Sequence, residues 1–213
     1  MIKTLFLKNF IRFKQFLAKM NDKKFQKGLK MRIKAPHAAY IARKISLELL
    51  KCGYATFKNG TEPVADVAAK ILLDDINAER ALEERTNELM DANENDIEFM
   101  QVDRRTMFGM IKKKLAAQTG FILEHDERYS RISHEILEAI WQKDLMEYNV
   151  SENKMKNVIY GAIESYIKNF AKAEAAAFEQ LEKREKKLIP GSEQYDLEYE
   201  KAYEEQLKKH GII

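Results

Sequence analysis

Cysteine is nearly absent from this sequence, because Cys52 is the only one in 213 residues. A single cysteine excludes an internal disulfide and any metal site built from several cysteines. Cys52 lies at a predicted helix end before Gly53, with apolar Leu49 and Leu50 nearby, which favours a small, buried or half-buried residue over an activated nucleophile. A chain without disulfides suits a reducing compartment, so we expect a cytoplasmic protein.

Glycine and proline are also scarce, with eight and three residues respectively. The glycines form neither a Gly-x-Gly nor a Gly-Lys-Ser/Thr motif, so the loops that cradle phosphate in nucleotide-binding proteins are excluded. With few residues that form turns, the chain is expected to consist of long helices with short connections. No apolar run approaches the roughly 18 residues that a membrane-spanning helix needs.

Histidine occurs four times, and no histidine has a carboxylate three residues before it. The Glu-x-x-His pairs of two-metal helical bundles are therefore missing. One segment clusters potential ligands, Glu124-His125-Asp126-Glu127, but adjacent acidic residues are more typical of a turn that begins a helix than of a cation site. The sequence therefore predicts no catalytic residue, no metal site and no cofactor.

Charge is distributed unevenly along the chain. Residues 1–30 hold nine Lys or Arg against one Asp, a net charge of +8, whereas the remainder carries −5. In this extension the apolar and basic residues take opposite sides of a helical wheel, which is typical of a helix lying on an anionic membrane. Contact with a membrane is confined to residues 1–20, through Phe6, Phe10, Phe13, Phe16 and Leu17. The alternative is translated upstream sequence or an arm that packs elsewhere.

The rest of the chain repeats a pattern. A short, a long and a short amphipathic helix are predicted in residues 31–120 and again in residues 121–213. A shift of 91 residues aligns the apolar positions without a gap, pairing Ile41 with Ile132, Ile45 with Ile136, Leu49 with Ile140, Val64 with Met155, Val67 with Val158, Leu72 with Ile163 and Ile76 with Ile167. The sequence therefore predicts an all-α fold of two tandem copies of a roughly 90-residue helical unit.

The longest predicted helix runs from Ser151 to about Lys187, roughly 55 Å. Its apolar stripe has to pack along a partner, so we expect a coiled-coil-like contact with the other repeat or with a second molecule. The apolar positions of the shorter helices before it include Tyr40, Leu47, Leu50 and Trp141. A tyrosine stripe at spacing i, i+4 and i+8 consists of Tyr195, Tyr199 and Tyr203. It predicts core packing with hydroxyls at the rim rather than a base-stacking platform.

Three segments of the body are distinctive. They read Met31-Arg-Ile-Lys-Ala-Pro-His, Met110-Ile-Lys-Lys-Lys-Leu-Ala and Lys187-Leu-Ile-Pro-Gly-Ser-Glu-Gln-Tyr, and the last motif ends in Tyr203-Glu-Glu-Gln-Leu-Lys-Lys-His-Gly. Together they resemble a bacterial family known only as domain of unknown function 507, from about Met31 to Gly211. The resemblance implies a bacterial, helical protein and brings no activity, cofactor or catalytic residue. Family members are expected to begin near Met31, so residues 1–30 are a departure and Met31 is the expected native start.

Basic residues of the body form clusters with different explanations. Lys112-Lys113-Lys114 and the lysines near residue 185 are interpreted as cations that complement helix C-termini. Arg104 and Arg105 stand at the start of the third helix, where cations are unfavourable. They are therefore the candidate contacts with phosphate or an acidic partner, and the alternative is a solvated face.

These observations favour a non-catalytic, cytoplasmic protein that acts through protein–protein interaction and self-associates through its long helices. The alternative is a nucleic-acid-binding protein that uses Arg104, Arg105 and the basic extension. A third hypothesis is an enzyme whose dispersed carboxylates meet only in the fold.

Overall fold

In the computed structural model, Ile33–Ile213 is one compact unit of the chain. The structure describes residues 33, 35–94, 103–183 and 192–209. The predictions for the extension, including the membrane-facing Phe6, Phe10, Phe13, Phe16 and Leu17, lie outside these residues. Among the helices that are described, none has the length and apolar character that crossing a membrane requires.

Six helices and a two-stranded sheet make up the described part of the chain. In order they are α1 (Ala35–Lys51), β1 (Ala55–Phe57), α2 (Glu62–Ala92), α3 (Arg104–Thr119), α4 (His125–Gln142), β2 (Met146–Tyr148), α5 (Glu152–Glu182) and α6 (Glu193–Lys209). The two strands hold three residues each. The fold is therefore all-α, as predicted.

Local signals set the ends of α3. The Asp103 side chain accepts a hydrogen bond from the backbone N–H of Thr106 at 3.0 Å, which satisfies a donor that the first turn leaves unpaired. At the other end Gly120 has φ 72°, a left-handed conformation that glycine adopts without steric cost. Both ends therefore carry residue types that signal a helix start and a helix end in the sequence.

Four helices form the core as a closed ring of neighbours. Helix α1 packs against α2 and α5, and α4 packs against α5 and α2. The buried faces of the two shorter helices are filled by matching residues, namely Ile41, Ile45 and Leu49 of α1 and Ile132, Ile136 and Ile140 of α4. Each short helix thus contacts both long helices, so residues 31–120 and 121–213 share one core.

The outer helices complete the unit. Helix α3 packs against α2, and α6 packs against α5. The apolar stripe of α5 is covered by α1, α4 and α6 of the same chain. The apolar stripe predicted on the longest helix therefore finds its packing partners within the described unit.

A short antiparallel ribbon joins the two halves. Strand β1 pairs with β2 so that Ala55 faces Tyr148 and Phe57 faces Met146. Two further backbone hydrogen bonds extend the ribbon, from Lys58 N–H to the Leu145 carbonyl at 3.0 Å and from Asn149 N–H to the Tyr54 carbonyl at 3.1 Å. The sequence predicted no strand here, because strands of three residues are too short to show an alternating pattern.

Candidate functional site

The side of α1 that faces away from the core is apolar. Tyr40, Leu47 and Leu50 are 38%, 44% and 48% exposed, whereas Ile41 and Ile45 are fully buried. Spacings of seven and three residues place the exposed three on one face of the helix, opposite the core. We call this set the α1 outer face. The apolar spacing of α1 did not separate these residues from the buried ones, and their exposure makes them candidates for contact with a partner.

Charges of both signs border the α1 outer face. Arg43 is exposed on the same face, between Tyr40 and Leu47, and Lys51 is exposed at its edge. Also at this edge, the Lys44 ammonium donates a hydrogen bond to the Glu48 carboxylate at 2.7 Å. Hydrogen bonding to Lys44 is the main cause that lowers the pKa of Glu48, so this carboxylate stays ionised at neutral pH. An apolar strip between charged borders is typical of a helix that packs against another helix.

A second surface feature surrounds Trp141, the only tryptophan of the chain. Trp141 lies on α4 as predicted, and it is 65% exposed. It lies beside a cavity of about 390 Å³ whose wall residues are His134, Leu137, Glu138, Trp141, Tyr148 and Glu152. We call this cavity the tryptophan pocket. His134 Nδ1 lies 3.0 Å from a Glu152 carboxylate oxygen, which ties α4 to the start of α5.

Buried ion pairs fasten α3 and α4 to the middle of α2. Arg128 donates to the Asp75 carboxylate at 2.8 Å through Nε and to Glu79 at 2.7 Å through Nη1. Lys112 of α3 donates to Glu79 at 3.1 Å and to Glu83 at 2.7 Å. We call this group, together with Arg131, the ionic junction; its members are Asp75, Glu79, Glu83, Lys112, Arg128 and Arg131.

Electrostatics at the ionic junction favour the charged forms. Burial opposes ionisation of Glu79 and is the largest single effect, but hydrogen bonds and charges from Arg128 and Lys112 together outweigh it and lower the pKa of Glu79. The pKa of Arg128 is raised because Asp75 and Glu79 together outweigh its burial. Complementary charges are thus held together away from water, so removing one partner would leave the other charge buried without compensation.

Sequence reasoning missed the ionic junction. Lys112-Lys113-Lys114 lie in the middle of α3 rather than at its C-terminus, so their interpretation as dipole-complementing cations was wrong. Lys112 is buried and bridges two helices. A signal existed in α2, where Asp75, Glu79 and Glu83 recur every four residues on one face of the helix.

A cavity of about 590 Å³ adjoins the ionic junction between α2, α4 and the C-terminal end of α3. The apolar residues that line this cavity include Ile71, Leu82 and Phe121. Arg85 and Arg131 line it together with three carboxylates, Asp74, Asp75 and Glu135. Because both signs of charge are present, the charges of this cavity do not select one class of ligand.

By the 91-residue shift, the ionic junction on α2 corresponds to a place on α5 that is occupied by aromatic residues. The His37 and Phe170 ring centroids lie 4.1 Å apart, and Tyr166 lies 5.1 Å from Phe170. Desolvation raises the pKa of Tyr166 strongly and raises the pKa of Tyr203 to about 12. The predicted tyrosine stripe is part of the core as expected, since it packs against Ala177, Leu181 and Ala202; its members are Tyr195, Tyr199 and Tyr203.

The two arginines proposed to contact phosphate have different surroundings. Arg104 donates to Asp91 at 2.8 Å and to Glu94 at 3.1 Å, and thereby ties the start of α3 to the end of α2. Arg105 is exposed and makes no ion pair with the residues that the structure describes. The acidic partners give Arg104 a structural reason to stand at this helix end. Phosphate contact by either arginine stays a prediction.

Two other candidate segments have structural explanations. Cys52 is half-buried and its thiol donates to the Leu49 carbonyl at 3.0 Å, as expected for a residue at a helix end. The Glu124 carboxylate accepts hydrogen bonds from the backbone N–H groups of Asp126 and Glu127 at 2.7 and 3.1 Å. This acidic segment therefore begins a helix, in agreement with its interpretation as a turn.

The fold defines an all-α protein in which two helical hairpins share one core and are joined by a short ribbon. A model of the family described as "Protein of unknown function (DUF507)" matches residues 31–212, and the chain belongs to this family. No curated protein matches the chain. Because the family's function is unknown, membership assigns no activity to the chain.

Proposed function

We propose that this protein is a non-catalytic interaction protein that self-associates through the α1 outer face. The observation that carries the proposal is the exposure of Tyr40, Leu47 and Leu50 on one side of a helix whose other side is fully buried. Exposed apolar side chains in a row are costly in water and are typical of a surface that a partner covers. The apolar stripes of the long helices do not supply this surface, because helices of the same chain cover them.

A second copy of the chain is the partner that this face fits. Tyr40 and Leu47 are seven residues apart and Leu50 follows three residues later, which is the spacing of a two-helix, coiled-coil-like contact. In an antiparallel pair of two α1 helices, the exposed apolar side chains of each copy would be covered by the other copy. Two-fold symmetric pairs of this kind are the commonest oligomers.

The expected dimer is weak. Helix α1 has 17 residues and is about 25 Å long, so a contact confined to its outer face is small. Interfaces that bury less than about 1,200 Å² in total belong to transient complexes. We therefore expect a dimer that forms in a concentration-dependent manner.

We also propose that the body consists of two tandem copies of one helical unit, residues 31–120 and 121–213. In support, β1 and β2 begin 91 residues apart, and α2 and α5 have 31 residues each. Gly53 and Asp144, also 91 residues apart, both take a positive φ directly after a short helix. A bacterial, cytoplasmic protein is our proposal for its setting, supported by the family resemblance and the single cysteine.

The test is sedimentation equilibrium of the full chain over a wide concentration range. We expect a monomer–dimer equilibrium that Leu47→Glu weakens by at least roughly tenfold, since a charge would be buried in the contact. Leu197→Glu is the matched control, because Leu197 is 52% exposed on α6, outside the proposed contact. A chain that stays monomeric at every concentration, or a dimer that Leu47→Glu leaves unchanged, contradicts the proposal.

A further inference from the structure

We propose that the tryptophan pocket binds an arginine side chain presented by a basic segment of a partner protein. This site lies on α4, β2 and the start of α5, and it is separate from the α1 outer face. The inference goes beyond self-association, because it assigns a second surface and a different class of partner.

The walls of the tryptophan pocket suit a flat cation. Two aromatic side chains, Trp141 and Tyr148, stand beside two carboxylates, Glu138 and Glu152, and the wall contains neither lysine nor arginine. Cations are attracted to aromatic ring faces, most strongly to that of tryptophan. A guanidinium group stacks on an indole and at the same time donates two parallel hydrogen bonds to a carboxylate.

The exposure of Trp141 is the independent reason to expect a ligand. An indole that is 65% exposed contributes little to the core and leaves a large apolar surface in water. Tryptophan is enriched among the few side chains that dominate binding energy at interfaces. His134 already contacts the Glu152 carboxylate, so Glu138 is the carboxylate that a bound cation would use. The negative charge of the two carboxylates favours a basic partner over an acidic one or over nucleic acid.

Neighbouring lysines are engaged outside the tryptophan pocket. Lys154 places its ammonium 3.7 Å from the centroid of the Tyr54 ring, so a cation already stacks on an aromatic ring beside the same ribbon. Lys58 pairs with Asp144 at 2.7 Å and with Glu147 at 2.9 Å. Neither lysine lines the pocket.

The other half of the chain lacks these features at the matching positions. By the 91-residue shift, Trp141 corresponds to Leu50, Glu138 to Leu47 and His134 to Arg43. At the matching position α1 therefore presents two leucines and a cation, whereas α4 presents an aromatic ring, a carboxylate and a histidine. The two matching surfaces thus recognise different partners.

The test uses Trp141 as its own probe, because no other tryptophan contributes to the fluorescence. The full chain is titrated with a peptide carrying one central arginine, and with the same peptide carrying citrulline, which has the shape of arginine without its charge. We expect a saturable change in fluorescence with the arginine peptide, and at least roughly fivefold weaker binding of the citrulline peptide. Equal binding of both peptides, or no saturable change, overturns the proposal.

Variants assign the binding to the pocket. Glu138→Gln is expected to weaken binding of the arginine peptide by roughly fivefold or more, since hydrogen bonds to a charged acceptor are about twice as strong as neutral ones. Glu147→Gln is the matched control, because Glu147 is an exposed carboxylate on β2 that does not line the pocket. Unchanged binding by Glu138→Gln, or tighter binding of free spermidine than of the peptide, overturns the proposal.

The two proposals fail separately. Leu47→Glu is expected to bind the arginine peptide normally, and Glu138→Gln is expected to dimerise normally. Loss of peptide binding in Leu47→Glu would show that the peptide occupies the α1 outer face, which overturns the assignment to the tryptophan pocket.

Discussion

Asp75 and Tyr166 are 91 residues apart, and each is buried on a 31-residue helix opposite the start of a shorter one. Asp75 accepts hydrogen bonds from Arg128 and Arg131. The Tyr166 ring instead lies near His37, and its hydroxyl has no hydrogen-bond partner among the residues that the structure describes. His37 and Arg128 are likewise 91 residues apart, so matching positions are filled by ions in one half and by rings in the other.

Replacing Asp75 by Ala is expected to lower the free energy of unfolding by about 3–5 kcal/mol, because it leaves the Arg128 guanidinium buried without its main partner. Tyr166→Phe, at the matching position, removes a hydroxyl without a partner and is expected to be neutral or slightly stabilising. Urea unfolding followed by circular dichroism measures both. Arg80→Ala breaks an exposed ion pair and serves as a control, for which we expect little or no loss of stability. A similarly small loss for Asp75→Ala would show that Arg128 finds another partner.

Acid is expected to weaken the ionic junction through Glu79. Its pKa in the folded protein lies below the ordinary value of 4.5, so its stabilising contribution is complete above pH 4.5. That contribution is lost as the pH falls below 4.5 and through the lowered pKa of the folded state. Urea midpoints recorded from neutral pH into this range measure the effect. With Glu79→Gln, the urea midpoint should fall less steeply as the pH is lowered. If it falls as steeply as in the unsubstituted chain, other carboxylates cause the loss of stability.

Leu72 and Ile163 are expected to contribute similarly to stability. Both are almost fully buried, at 1% and 0% exposure, and they are matching positions of α2 and α5. Truncating either side chain to Ala should cost about 2–5 kcal/mol, since it creates a cavity in the core. The measurement is the free energy of unfolding of each variant, with exposed Leu73→Ala as the control on α2. A loss near zero at either buried position would contradict the shared core.

The body is expected to fold without the N-terminal extension. Ile33–Ile213 is a compact unit, and its core is built from α1 and the helices after it. A chain that starts at Met31 should therefore show a strongly helical far-ultraviolet circular dichroism spectrum and a cooperative thermal transition. A mostly disordered spectrum would place the extension in the core.

Nucleic-acid binding is expected to depend on the extension. Residues 31–213 carry a net charge of −5 and should show no measurable affinity for mixed oligonucleotides at physiological salt. The full chain, with its +8 extension, should bind weakly and lose that binding steeply as salt rises. A salt titration of both chains by fluorescence anisotropy decides the matter. If residues 31–213 bind at micromolar concentration and an Arg104→Ala, Arg105→Ala variant does not, the nucleic-acid hypothesis replaces self-association.

Much of the fold follows from local signals in the sequence. Apolar spacing predicted the helices, and Asp103 and Gly120 marked the ends of α3, because capping depends on residues within one turn of the chain. The family resemblance also rests on contiguous segments, such as the one that begins at Met31, and it was confirmed.

Only the tertiary structure decided which apolar and charged residues face inward. Leu50 and Trp141 belong to amphipathic helices, yet they are exposed because the ring of neighbouring helices covers only part of each surface. Lys112 was unremarkable in a run of three lysines, but α3 docks it against Glu79 and Glu83, which are about 30 residues away in sequence. Contacts between residues far apart in the chain depend on how whole helices pack, and spacing within one helix does not contain that information.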